Sequence, residues 1–207
     1  MNPPAVRLII AALVWVLVAA GMLIPVGLAA ASPLQASREA LWIFGGMAGV
    51  AALALLLVQP MLAAGLLPGV ATRVARRWHR LVGATIVAAV MLHVGGLYLY
   101  SPDDVTDALL LVAPTPFSIY GVIGLCSVAL TALLVAIRSR SGMRYPTWRL
   151  LHNALSLVLV VSSIVHAVLI EGAMGVVSKG ILCGLVFAAT VIALLRTHLH
   201  RPPRQDL

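Results

Sequence analysis

The chain has 207 residues, 62% of them apolar and only 10% charged, with a formal net charge of +8. Soluble globular domains run nearer to about half apolar and about a quarter charged. The composition excludes an ordinary soluble domain and predicts an all-α protein that crosses a lipid bilayer several times.

Crossing the hydrocarbon core takes about 20 residues of helix. Six apolar segments meet that length, at 6–30, 41–67, 80–100, 117–138, 150–170 and 174–196. Helices are expected because lipid cannot satisfy backbone N–H and C=O groups, and the period-two pattern of a membrane β-barrel is absent. The first segment, "VRLIIAALVWVLVAAGMLIPVGLAAAS", imitates a signal peptide, but its apolar stretch is longer than a signal-peptide core. It reads as the first transmembrane helix, kinked at Pro25. "SPDDVTDALLLVAPTP", after the third segment, reads as an acidic loop carrying Asp103, Asp104 and Asp107. Cys126 and Cys183 stand alone in the fourth and sixth segments and read as small packing residues. His198 and His200 fall in a polar tail and read as a solvated end. The expected organisation is one six-helix transmembrane domain over residues 1–207, with no whole-chain repeat.

In a soluble protein the basic excess would suggest nucleic acid; its distribution here does not. In a six-span topology Arg7, Arg73, Arg76, Arg77, Arg80, Arg138, Arg140, Arg144, Arg149, Arg196, Arg201 and Arg204 all fall on one side, leaving only Arg38 and Lys179 on the other. The acidic residues Glu39, Asp103, Asp104, Asp107 and Glu171 fall on that second side. The positive-inside rule then makes the arginine-rich side, and both termini, cytoplasmic. The charge is a topology signal, and the partner it implies is the lipid bilayer.

The third and fifth segments carry two histidines each, His79 and His93, then His152 and His166, with the same spacing. Fourteen residues at about 100° each fall only about 40° short of four full turns, so each pair shares a helix face, about 21 Å apart along the axis. Both helices start on the cytoplasmic side and run parallel. If they face each other, His79 and His152 form an inner pair and His93 and His166 an outer pair. Each pair could give both axial ligands to a flat cofactor between the helices, and haem iron fits that demand. Zinc fits less well, because it needs four ligands around one point. No C-x-x-C-H attachment motif is present, so any haem would be held non-covalently.

Several neighbours suit this arrangement. Gly83, Gly95 and Gly96 in the third helix, with Gly121 and Gly124 in the fourth, allow close approach of a backbone or a bulky ring, as in ordinary small-residue packing. Arg77, Arg80 and Arg149 lie at the depth where the inner haem's propionates would emerge, and could contact them. Trp78 and Trp148 read as interfacial anchors at the same boundary.

On "HRLVG…MLHVGGLY" and "WRLLHNALSLVLVVSSIVHA", with six spans covering almost the whole chain, the sequence resembles the ferric reductase-like transmembrane domain family. The resemblance implies a b-type membrane cytochrome, with His79 and His152 ligating an inner haem b and His93 and His166 an outer one. Two haems are expected; occupancy of one pair alone would give a single-haem protein. It also implies electron transfer from a quinol or a separate flavoprotein to a periplasmic acceptor protein or metal ion, as the membrane component of an oxidoreductase. With the charge bias, it implies the bacterial inner membrane. About a dozen residues follow the last segment and no Gly-rich nucleotide fingerprint is present, so hydride from a soluble nicotinamide would have to be taken by another protein. The competing reading is a haem-free transition-metal or proton transporter, or an assembly factor, using the same four histidines as metal ligands or a proton relay.

Overall fold

A computed structural model describes the backbone of residues 3–199 and the side chains of residues 4–196. Among these residues the chain forms seven α-helices and one short 3-10 turn, and no strand. The helices are α1 (Pro3–Ala30), α2 (Ala40–Ala64), α3 (Thr72–Tyr100), α4 (Pro102–Leu109), α5 (Pro116–Ala136), α6 (Tyr145–Leu169) and α7 (Val176–Leu199). All except α4 are long and apolar enough to cross a membrane. Their outward faces carry exposed Leu, Ile and Val, such as Leu8, Leu17, Leu81, Leu150 and Ile181, as helices bathed in lipid require.

The expected spans correspond to α1, α2, α3, α5, α6 and α7, with informative differences at the ends. α3 begins at Thr72, eight residues before the apolar stretch, because the alanine and three arginines of "TRVARRW" favour helix and do not need lipid. α6 likewise begins at Tyr145, with Pro146 in its first turn, where the missing N–H costs nothing. α2 stops at Ala64 because Gly65 takes the left-handed conformation (φ 62°, ψ 41°) and returns its N–H to the last turn. The acidic loop contains a helix, α4, with Pro102, Asp103 and Asp104 in its first turn, where carboxylates oppose the helix dipole. Pro25 lies inside α1 and is buried. The tail expected at His198 and His200 lies outside the side chains described.

The helices form a ring with α1 outside it. α2 packs on α3 and α7, α7 on α6, α6 on α5, and a smaller contact between α3 and α5 closes the circuit. α1 covers the groove between α2 and α7. The core runs along α2 and α7, where Leu57, Leu182 and Val186 are buried. Lipid tails are as apolar as leucine, so such helices gain most from close backbone approach. α2 and α3 achieve this at Gly45 and Gly96, where a Cβ on Gly96 would lie 3.1 Å from Gly45 Cα. α3 and α6 are not among the closely packed neighbours; what lies between them is the site.

Candidate functional site

The four histidines meet across that gap. The ring centroids of His79 and His152 are 6.2 Å apart, with planes at 70°. Those of His93 and His166 are also 6.2 Å apart, with planes at 79°. All four side chains are half-buried. No hydrogen bond joins the two rings of either pair among the described residues. A metal–imidazole bond of about 2.0 Å plus about 1.1 Å from nitrogen to ring centre sets two trans ligands of one metal about 6.2 Å apart. Each pair has the separation of two axial ligands.

The hydrogen bonds fix the tautomers. Nδ1 of His93 donates to the Gly45 carbonyl at 2.8 Å, Nδ1 of His166 to the Phe117 carbonyl at 2.9 Å, and Nδ1 of His79 to the Gln59 carbonyl at 3.1 Å. A carbonyl oxygen only accepts, so the proton of each neutral ring sits on Nδ1 and the lone pair on Nε2. That is the state in which imidazole binds a metal, and such partners orient metal-binding histidines generally. His152 differs: its Nδ1 is buried with no hydrogen-bond partner, and its ring stacks on Trp148 at 5.1 Å. The Arg138 guanidinium lies 4.3 Å from the Trp148 ring on a cation–π contact.

The outer pair is built twice to one plan. A carbonyl of the preceding helix takes the imidazole proton, and a glycine four residues later makes room for the ring. In α2 these are Gly45 and Gly49, in α5 Phe117 and Gly121. A Cβ on Gly49 would lie 2.8 Å from His93 Nδ1, and one on Gly121 would lie 3.0 Å from His166 Nδ1. The hairpins α2–α3 and α5–α6 therefore present their outer histidines alike, a local correspondence although no whole-chain repeat is read in the sequence.

Of the glycines singled out in the sequence, Gly121 seats His166, Gly96 meets Gly45, Gly124 faces Ser162, and Gly83 faces the side-chain amide of Gln59. Gly95 has open space where a Cβ would stand, with nothing within 4 Å. The sequence reading missed Gly45, Gly49, Gln59 and Phe117, because nothing in α2 or α5 marks which carbonyl a distant histidine will reach. The Gln59 side chain also donates to the His79 carbonyl at 3.1 Å, tying α2 to α3 from both directions.

Arg77 and Arg80 are exposed in the first turns of α3, and Arg149 is half-buried in α6. At about 100° per residue, Arg149 is about 60° around the helix from His152, Arg80 about 100° from His79, and Arg77 about 160° from it. Arg76, three residues before His79 as Arg149 is before His152, stands closer to the histidine face than Arg77 does.

A cavity of about 480 Å³ opens beside the outer pair. His93 and His166 line it, with apolar residues of α2, α3, α5 and α6, and α4 contributes Asp104 and Asp107. His79 and His152 are not among its lining residues. Among the described residues, no three His, Cys, Asp or Glu side chains converge as a metal site. Each pair therefore offers two imidazoles, fewer than the four ligands that a structural zinc site takes.

Comparison with known protein families gives a match. The family model for the ferric reductase like transmembrane component matches residues 46–163, more than half of the chain. The matched stretch holds His79, His93 and His152, and His166 falls just beyond it. No curated protein and no solved structure matches the chain.

Proposed function

The chain belongs to the ferric reductase-like transmembrane family, and from that premise we propose that it is a membrane b-type cytochrome carrying electrons between the two faces of the bilayer. Donor and acceptor lie on opposite sides: a quinol or separate flavoprotein toward the arginine-rich end, and a periplasmic protein or metal ion toward the acidic end. The membrane in question is the bacterial inner membrane, with both termini cytoplasmic. Haem b, held at each histidine pair, would supply the one-electron iron couple.

The observation that carries this reading is the recurrence, at both pairs, of the 6.2 Å separation that two axial imidazoles need. Three Nδ1–H groups bonded to backbone carbonyls support it, because they leave Nε2 free to ligate. His79 and His152 would hold the inner haem, and His93 and His166 the outer one. Gly49 and Gly121 make room for the outer imidazoles against α2 and α5. Arg149 and Arg80, with Arg77 less well aimed, offer guanidinium groups to carboxylates near the inner pair. Because two imidazoles would hold each haem, an acceptor would take its electron without itself becoming a ligand of the iron.

The test is electron transfer across a sealed membrane. Protein reconstituted into liposomes loaded with dithionite should reduce external ferricyanide far faster than protein-free liposomes, and His93→Ala should abolish the gain. Equal rates with and without the wild-type protein would contradict the proposal.

A further inference from the structure

Lys179 has no part in the electron path described above. It sits in the first turn of α7, where a cation works against the helix dipole. Its side chain is 8% exposed, so it does not snorkel to water as membrane lysines ordinarily do. Its Nζ donates to the Ile170 carbonyl at 2.7 Å, and an ammonium has three protons to donate. No carboxylate lies within ion-pair distance of it among the described residues. Lys179 and Ile170 both line the outer cavity, whose lining contains no other lysine or arginine. The carboxylates on that lining are Asp104 and Asp107 of α4; Asp104 is already engaged by the Ser101 hydroxyl at 2.7 Å. Asp104 and Asp107 are both exposed.

A buried cation with donors to spare, in a mostly apolar cavity whose two lining carboxylates are exposed and not within ion-pair distance of it, calls for an anion inside that cavity. We infer that Lys179 is the carboxylate anchor of the outer cavity, giving a charge-assisted hydrogen bond to an acidic group bound beside His93 and His166. Two sources share that chemistry: an acidic side arm of the macrocycle held by the outer pair, or a small free carboxylate. The inference rests on the proposed function, since it assumes that the outer pair holds a redox group. Lys179 acts as a positioning residue. Its positive charge beside the outer group also favours the reduced form, in which the centre carries one positive charge fewer.

The experiment compares wild type with Lys179→Met and Lys179→Arg as purified proteins, measuring haem per polypeptide and both midpoint potentials by optical titration in carboxylate-free buffer. In Lys179→Met the outer midpoint should fall, by about a tenfold change in the oxidised-to-reduced ratio or 59 mV for one electron. The inner midpoint should stay put and report an intact fold, and Lys179→Arg should restore the outer value. Adding acetate at constant ionic strength separates the sources. A wild-type outer midpoint that ignores acetate identifies a side arm; one that shifts with acetate, in wild type but not in Lys179→Met, identifies a free carboxylate. Unchanged midpoints in a fully loaded Lys179→Met overturn the inference, as does loss of both haems together, which would make Lys179 a structural tether to Ile170. A wild type without haem would refute the proposed function itself, a result distinguishable from either.

Discussion

At the scale of single residues, the outer site depends on atoms that are missing as much as on atoms present. Gly49 and Gly121 are the seats of His93 and His166, and any side chain there meets an imidazole at or below 3.0 Å. Overpacking of this kind costs about 1–3 kcal/mol in a well-packed interior, and here the imidazole is the group forced to move. Gly49→Val and Gly121→Val should each retain helical circular dichroism while losing one haem of two, as counted by pyridine haemochrome per polypeptide. Full occupancy in both variants would show that the glycines are incidental. The histidines themselves are legible in the sequence, because equal spacing on two parallel helices places them at matching depths. The glycines and carbonyls that orient them are only partly so. Gly121 stands out by its position in a span, but Gly45, Gly49, Gln59 and Phe117 matter through contacts to residues about 20 to 50 positions away, which no local pattern records.

At the scale of helices, the two pairs are unequally held. Both outer imidazoles are fixed through Nδ1 by a neighbouring helix, whereas at the inner pair only His79 is, and His152 relies on stacking against Trp148. Outer-shell partners of metal-bound histidines are worth roughly 10- to 100-fold in affinity. A His93→Ala protein, keeping only the inner site, should therefore lose its haem at a lower temperature than a His79→Ala protein, keeping only the outer one. Warming each in detergent while following the Soret band decides the matter, and the reverse order would contradict this reading. Helix ends are the least legible part of the fold. The apolar pattern marks the lipid-crossing part of α3, but its first two turns continue as helix because arginine favours helix whatever the solvent. α4 is too short and too polar to register as a span, although Pro102 and the two following aspartates are ordinary helix-start signals.

At the scale of the whole molecule, charge asymmetry and site asymmetry point the same way. The arginine-rich end carries the connections α2–α3 and α5–α6, and the acidic end carries α4 beside the cavity of the outer pair. If the positive-inside rule governs this chain, a cysteine at Ser141, exposed between α5 and α6, should be shielded from an impermeant maleimide in intact cells. One at Thr106, exposed on α4, should react. These tests need Cys126 and Cys183 replaced, since Cys126 is exposed on its helix. Labelling of Ser141→Cys from outside would invert the topology and exchange the donor and acceptor sides. The six-span architecture is legible in full, because apolar length is a composition-level signal. The ring closure that separates α3 from α6 is not, because it arises from how α2, α5 and α7 pack around the gap.

The central claim is that each histidine pair holds one haem b, and the most direct measurement is the optical spectrum of the purified wild-type protein, oxidised and then dithionite-reduced, with haem counted per polypeptide. Sharp b-type α and Soret bands on reduction, with two haems per chain, are the predicted result. A colourless protein, purified from cells able to supply haem, would contradict it.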